Sequence, residues 1–182
     1  MRILLLGGSK SGKSGLAQTL TRNLAAGGPM IYWATMEPVD DEDRARIQKH
    51  LEDRAGWGFE TVERGRDLTG ALPLAPGASV LLDSVTALLA NEMFGANLDE
   101  GAPNRAAGAL LEVSRQAAHL VCVCDDLFRD AGRYDSWTEC YRRGLAQICR
   151  RLAREFDLVC EVTAGIVKAH KGAELLGQLL SP

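Results

Sequence analysis

Eight consecutive residues, Gly7 to Ser14 ("GGSKSGKS"), fit the pattern G-x-x-x-x-G-K-[ST], and the chemistry this spacing supports is the holding of a nucleotide's phosphates. The glycines let the backbone curl, so that N–H groups from Gly7, Gly8, Ser9, Lys10, Ser11 and Gly12 converge on phosphate oxygens. A helix opening at Lys13 adds its positive N-terminal end. Lys13 is placed to bridge β- and γ-phosphates, and the Ser14 hydroxyl to ligate Mg²⁺. Asp83, ending the apolar run "VLLD", is the acidic residue expected to complete the metal's anchorage. Motors, switches, kinases and nucleotidyltransferases share such a loop, so the loop alone does not name a reaction.

The segment "RARIQKHLEDR" carries a second constellation, around one of only three histidines in the chain. Read as a helix, it spaces Arg46, His50 and Arg54 by four, and it puts Ile47 and Leu51 on one face. Asp40, Asp41, Glu42 and Asp43 supply negative charge at its N-terminal end. A neutral His50 imidazole can attack an α-phosphorus while flanking guanidinium groups offset the charge developing on the oxygens, giving a nucleotidyl-histidine. A solvated helix surface is the other reading of the same residues. Spacing alone leaves both open.

Positioning these groups requires strands that end beside them. Short apolar runs at Arg2 to Leu6, Met30 to Thr35, Ser79 to Asp83, His119 to Cys124 and Leu158 to Thr163 read as strands buried on both faces. "FETVE", Phe59 to Glu63, is a weaker strand candidate. Helical periodicity fills Lys13 to Ala25, Asp41 to Arg54, Val85 to Phe94, Arg105 to Ala117 and Trp137 to Phe156. The alternation implies an α/β fold with a mostly parallel sheet flanked by helices, whose ligands sit on loops at the carboxyl ends of the strands. Two such loops, Gly95 to Pro103 and Asp125 to Ser136, are rich in turn-forming and charged residues.

With 182 residues the chain is expected to form one domain, 1–182. A net charge of −3 argues against nucleic acid as a partner while leaving room for small anionic ligands. Five cysteines, an odd number without C-x-x-C pairs, favour buried thiols over a disulfide framework or zinc site. The chain shows neither a signal pattern nor an apolar run of about 18 residues, so a cytoplasmic protein without a membrane span is expected.

Taken together, "ILLLGGSKSGKS", "YWATMEPVDDEDRARIQKHLEDR" and "VLLDSVTALLANEMF" resemble the bifunctional adenosylcobinamide kinase and adenosylcobinamide-phosphate guanylyltransferase family of cobalamin assembly. In that family an "ATM"-like turn, here Ala34 to Met36, precedes an acidic patch and R-I-x-x-H-x-x-x-R, here Arg46, Ile47, His50 and Arg54. The resemblance implies a RecA-like P-loop fold, and a His50 that accepts GMP from GTP. It further implies that Thr35, Met36, Arg46, Leu51, Arg54, Glu63 and Asp83 join Gly7 to Ser14 around the nucleotide. GTP and ATP with Mg²⁺, an adenosylcobinamide or similar corrinoid acceptor, and a homotrimer are the implied substrates, cofactor and assembly. Asn91 stands where a recurring asparagine is found, and the resemblance extends over most of the chain.

One stretch departs from the family pattern. After the strand ending at Cys124 the family usually has an asparagine–glutamate pair and a glycine-rich loop, whereas this chain has "DDLFRDAGRYDS", with Asp125 and Asp126 in place of the pair. That loop is expected to shape the acceptor or kinase side. Tyr134, Trp137 and Tyr141 are expected to be packing residues rather than a ligand platform, and His119 and His170 structural or solvated. Two other functions compete with the bifunctional enzyme: a plain small-molecule kinase in which His50 only binds phosphate, and a RecA-like ATPase module without a small-molecule acceptor.

Overall fold

A computed structural model describes residues 1–38, 40–53, 55–94, 97–129 and 132–180, and omits the side chains of positions 42, 43, 46, 49, 50 and 53. Among the described residues, seven strands form one sheet in the order β3-β2-β4-β5-β1-β6-β7. These are β1 (Arg2–Gly7), β2 (Met30–Ala34), β3 (Phe59–Glu63), β4 (Ser79–Asp83), β5 (His119–Asp125), β6 (Leu158–Thr163) and β7 (Ile166–Lys171). All neighbours run parallel except β6 and β7. The phosphate-loop strand β1 is separated from β4, which ends at Asp83, by β5. That interposed strand is the RecA-like form of a P-loop sheet.

The central strands carry helices on both sides, which is why they read as continuous apolar runs rather than alternating ones. Ile3, Leu5, Leu81, Val121 and Cys160 face helix α1 (Lys13–Ala25) through Ala17 and Leu20. Leu4, Trp33, Val80, Leu82 and Cys122 belong to the larger core with α3 (Val85–Met93), α4 (Ala102–Gln116) and α5 (Ser136–Glu155). Capping fixes where these helices begin. Ser84 Oγ accepts from the Ala87 N–H at the start of α3, and Asp135 accepts from the Trp137 and Thr138 N–H groups at the start of α5. Helix α2 (Asp41–Asp53), rich in charged residues, connects β2 to β3 along the chain.

Three elements lie beyond the sequence expectations. Strand β7 pairs antiparallel with β6 through a tight hairpin whose central residues, Ala164 and Gly165, both have positive φ (50° and 79°). Helix α6 (Ala173–Leu180) follows it, and a 3₁₀ turn spans Leu68–Ala71. All five cysteines are free, four of them buried. Among the described residues, no helix is long and apolar enough to cross a membrane.

Candidate active site

Parallel strands deliver their carboxyl ends to one edge of the sheet, and the predicted site residues collect along that edge. Gly7 ends β1, and a Cβ there would run into the Val162 carbonyl oxygen of β6 and crowd the Ser11 hydroxyl, so only glycine fits. Lys10 (φ 59°) and Gly12 (φ 99°) take left-handed conformations that turn the loop back toward α1. The loop is clamped from β6–β7 as well, because the Gly165 N–H at the hairpin tip donates to the Ser11 carbonyl at 2.9 Å. Within the loop the Ser11 hydroxyl is buried and has no hydrogen-bond partner. An orphaned buried hydroxyl inside a glycine-rich loop that opens a helix fits the holding of an anion.

Lys13 is 5 % exposed. Its ammonium donates to the Gly8 carbonyl at 2.7 Å and pairs with Asp125 Oδ1 at 2.9 Å. Asp125 ends β5 directly abreast of Gly7, so the sheet register brings this carboxylate to the phosphate loop. Its backbone N–H donates to Thr86 Oγ1, which ties it to the start of α3. Asp126 follows, donating its N–H to the Gly7 carbonyl and accepting from Arg129 with Oδ2, while its Oδ1 is buried without a partner. Arg129 also pairs with Glu161 of β6, which in turn meets His170 Nε2 at 3.0 Å. Arg129 and His170 together hold the Glu161 carboxyl below the usual glutamate range.

Asp83 stands two strands away from β1, about 10 Å by the usual spacing of neighbouring strands. One of its oxygens accepts from the Tyr32 hydroxyl at 2.9 Å. Thr35 is fully buried, and its hydroxyl donates to the Ser84 carbonyl and accepts from the Ser84 N–H, both at 2.7 Å. Asn91 Nδ2 donates to the Thr35 and Gly65 carbonyls, clipping the ends of β2 and β3 to α3. Thr35 therefore braces the edge rather than offering a free side chain to it.

At the far end of the same edge Met36 and Glu63 line a cleft of about 170 Å³ together with Ala34, Arg44, Ile47 and Gln48. Glu63 is four strands from Gly7, about 19 Å by strand spacing, so the structure gathers the predicted residues into two groups rather than one. The first is Gly7 to Ser14, joined by the unpredicted Asp125, and the second is the Met36–Glu63 cleft under α2, with Asp83 and Thr35 on the edge between them. Leu51 lies exposed on α2. The backbones of positions 46 and 50 belong to that helix, their side chains lie outside the description, and Arg54 lies outside the described residues.

Of the three aromatic residues expected to pack, Tyr141 is partly buried, while Trp137 and Tyr134 are about half exposed, Tyr134 under the Arg142 guanidinium. Trp137 stacks on Phe94 with centroids 6.3 Å apart, and Tyr141 packs against the same ring while donating its hydroxyl to the Thr86 carbonyl. His119 meets the Met1 amine at 2.8 Å, away from the site. The residue that sequence reading gave no role beside the phosphates is Asp125. The sequence "VCVCDD" shows an aspartate closing a buried strand, but that this strand lies beside β1, and so delivers Asp125 to the loop, comes from the sheet order.

A glycine-rich loop opening α1, a buried lysine at its end and an acidic strand end two places along define a P-loop nucleotide-binding protein. Residues 3–169 match the family described as cobinamide kinase / cobinamide phosphate guanyltransferase, and the chain belongs to that family. It is 30% identical over 179 residues, covering 91% of this chain and 97% of the relative, to the bifunctional adenosylcobalamin biosynthesis protein CobU of Salmonella typhimurium. The protein of the same name from Escherichia coli is 36% identical over 96 residues, 52% of this chain and 51% of that one. Among solved structures, flagellar accessory protein FlaH from Methanocaldococcus jannaschii is similar over 93% of this chain and 77% of its own, with 13% identity and a TM-score of 0.47.

Proposed function

We propose that this chain phosphorylates the hydroxyl of adenosylcobinamide and then transfers GMP from GTP to the resulting phosphate through a covalent guanylyl-histidine at His50. The observation that carries the reading is the joint presence, in a member of this family, of the phosphate loop and the Arg46-Ile47-His50-Arg54 spacing in the sequence. The nucleotide-facing set is Gly7 to Ser14, Met36, Arg46, Leu51, Arg54, Glu63 and Asp83, with Thr35 holding the edge between them. A homotrimer acting in the cytoplasm completes the reading.

The chemistry divides into displacements at phosphorus. In the kinase step the acceptor oxygen bonds to the γ-phosphorus as the bond to the β–γ bridging oxygen breaks. Phosphoryl transfer of this kind needs mainly positioning and charge compensation, which Lys13 and the loop N–H groups supply. In the guanylyl step an imidazole nitrogen of His50 bonds to the α-phosphorus and pyrophosphate leaves. The acceptor phosphate then attacks the same phosphorus, and the N–P bond breaks. Arg46 and Arg54, each four residues from His50 in the sequence, offset charge on the phosphate oxygens during both displacements.

Mg²⁺ suits the hydroxyl of Ser14 and the carboxylate of Asp83, both hard oxygen donors, and it ordinarily keeps several waters rather than demanding a cage of protein ligands. When bound it neutralises charge on the triphosphate oxygens. Tyr32 orients the Asp83 carboxylate by donating to one of its oxygens.

The experiment is incubation with α-labelled GTP and Mg²⁺, denaturation, and treatment with acid or base, beside His50→Asn. A label stable in base, labile in acid and missing from the variant is the expected result. Wild-type protein that takes no label overturns the histidine intermediate, and strong stimulation of ATP hydrolysis by DNA would favour an ATPase module instead.

A further inference from the structure

The proposed kinase step needs a group to accept the proton of the attacking hydroxyl. We propose that Asp125 is that base, held at rest as the counter-ion of Lys13 and released when a nucleoside triphosphate draws Lys13 onto its phosphates. The inference rests on the kinase reading above and adds to it a named residue and the event that frees it.

Among the described residues four carboxylates, Asp83, Asp125, Asp126 and Glu161, stand around the phosphate loop and the edge beside it, and their partners separate them. Asp126 has only 10% of its side chain exposed and is bonded to Arg129. Glu161 is held by Arg129 and His170 together. Asp83 lies two strands from the phosphate-loop strand and accepts from the Tyr32 hydroxyl. Asp125 keeps 28% of its side chain exposed, stands abreast of Gly7 and pairs with Lys13, which the loop motif assigns to the β- and γ-phosphates. A phosphate bearing several negative charges competes directly with one carboxylate for that ammonium. Once Lys13 turns to the phosphates, Asp125 is left without this partner beside the end of the triphosphate, where the acceptor must approach.

The Thr86 hydroxyl accepts from the Asp125 backbone N–H at 2.8 Å, so the strand end is held while its carboxylate changes partner. The step balances as follows. The hydroxyl oxygen bonds to the γ-phosphorus, the bond from that phosphorus to the bridging oxygen breaks, and the nucleoside diphosphate leaves with the electron pair. The hydroxyl proton passes to Asp125, then to solvent.

The test uses the full chain, with phosphorylation of adenosylcobinamide by ATP and covalent labelling by α-labelled GTP measured side by side. Asp125→Asn is expected to lower kcat for phosphorylation by about 10²–10⁴-fold while KM for the acceptor moves by less than about three-fold. Nucleotide affinity should be unchanged or tighter, because Lys13 no longer has a competing carboxylate. Phosphorylation should fall at least about ten-fold further than labelling, and Asp125→Glu should recover part of the loss. Asp125→Ser, which removes the carboxylate with a smaller side chain, carries the same expectations if the Asn variant melts out. Phosphorylation in a folded variant within about three-fold of wild type overturns the proposal. So does an equal loss in both reactions with weakened nucleotide binding, which would make Asp125 a strut for Lys13. Wild-type protein that phosphorylates no adenosylcobinamide overturns the kinase reading itself, and Asp125's role with it.

Discussion

Thr35 and Ser84 exchange two hydrogen bonds through one hydroxyl, which donates to the Ser84 carbonyl and accepts from the Ser84 N–H, both at 2.7 Å. Thr35 is fully buried just past the end of β2, and Ser84 follows the Asp83 that closes β4. The pair therefore sets the spacing between Asp83 and the turn carrying Met36. Asn91 grips the Thr35 carbonyl from α3 and adds a third strut. Three residues with no reactive chemistry thus hold the edge on which the candidate site is built.

Thr35→Val keeps the volume but leaves the Ser84 N–H without this partner, while the Ser84 carbonyl still accepts from the Leu88 N–H. At about 1–3 kcal/mol for one unsatisfied group, a loss of about 1–3 kcal/mol is expected. For a chain of this size that lowers Tm by about 2–12 °C. Thr35→Ser, which retains the hydroxyl, should restore most of it in the same thermal melts. Equal melting of the Val and Ser variants would mean the two bonds add nothing to stability.

Gly7→Ala should separate nucleotide binding from general folding. The added methyl meets the Val162 carbonyl and the Ser11 hydroxyl, so β1 and β6 must part or the loop must shift. Overpacking of this kind costs about 1–3 kcal/mol. A loop shifted by even part of an ångström no longer presents its N–H groups to phosphate, so nucleotide affinity measured by calorimetry should fall at least about ten-fold. Gly8→Ala, whose added Cβ meets nothing within 4 Å, should be far milder.

Most of this edge was legible because buried parallel strands announce themselves as unbroken apolar runs. The five main runs and the weaker "FETVE" all proved to be strands, with ends within a residue of those expected. Strand β7 escaped because "IVKAHK" is largely exposed, mixes two lysines and a histidine into its alternation, and turns through Ala-Gly rather than the usual Asn-Gly. Helix α6 is only eight residues long with Gly177 inside it, which leaves little periodicity to read. The link between Lys13 and Asp125 was hidden for a different reason. It depends on strand order, and "HLVCVCD" carries no mark saying that it lies beside β1 rather than at an edge of the sheet.

His119 gives the stability a pH dependence away from the site. Burial first, then the Met1 ammonium and Arg2, lower its pKa from the usual 6.5. A histidine depressed in the folded state binds fewer protons there than in the unfolded chain. Its stabilising contribution is therefore present above about pH 6.5 and is lost as pH falls from there through the folded value. Melts taken between pH 8 and pH 5.5 should show Tm declining toward acid. His119→Gln should flatten the part of that decline lying below pH 6.5, and an unchanged slope would assign it to other groups.

The stereochemistry at the α-phosphorus distinguishes a covalent histidine intermediate from direct attack. Each in-line displacement inverts the phosphorus, so transfer through His50 inverts it twice and the product keeps the configuration of the GTP. GTP carrying a chiral α-phosphorothioate should yield a guanylylated corrinoid with retention. A direct attack by the acceptor phosphate, with the α2 imidazole serving only as a cation or hydrogen-bond donor, gives inversion. The outcome does not depend on trapping a labile adduct. An inverted product would exclude the double displacement even if some label were found on the protein, and retention that disappears together with activity in His50→Asn would place the intermediate on that residue.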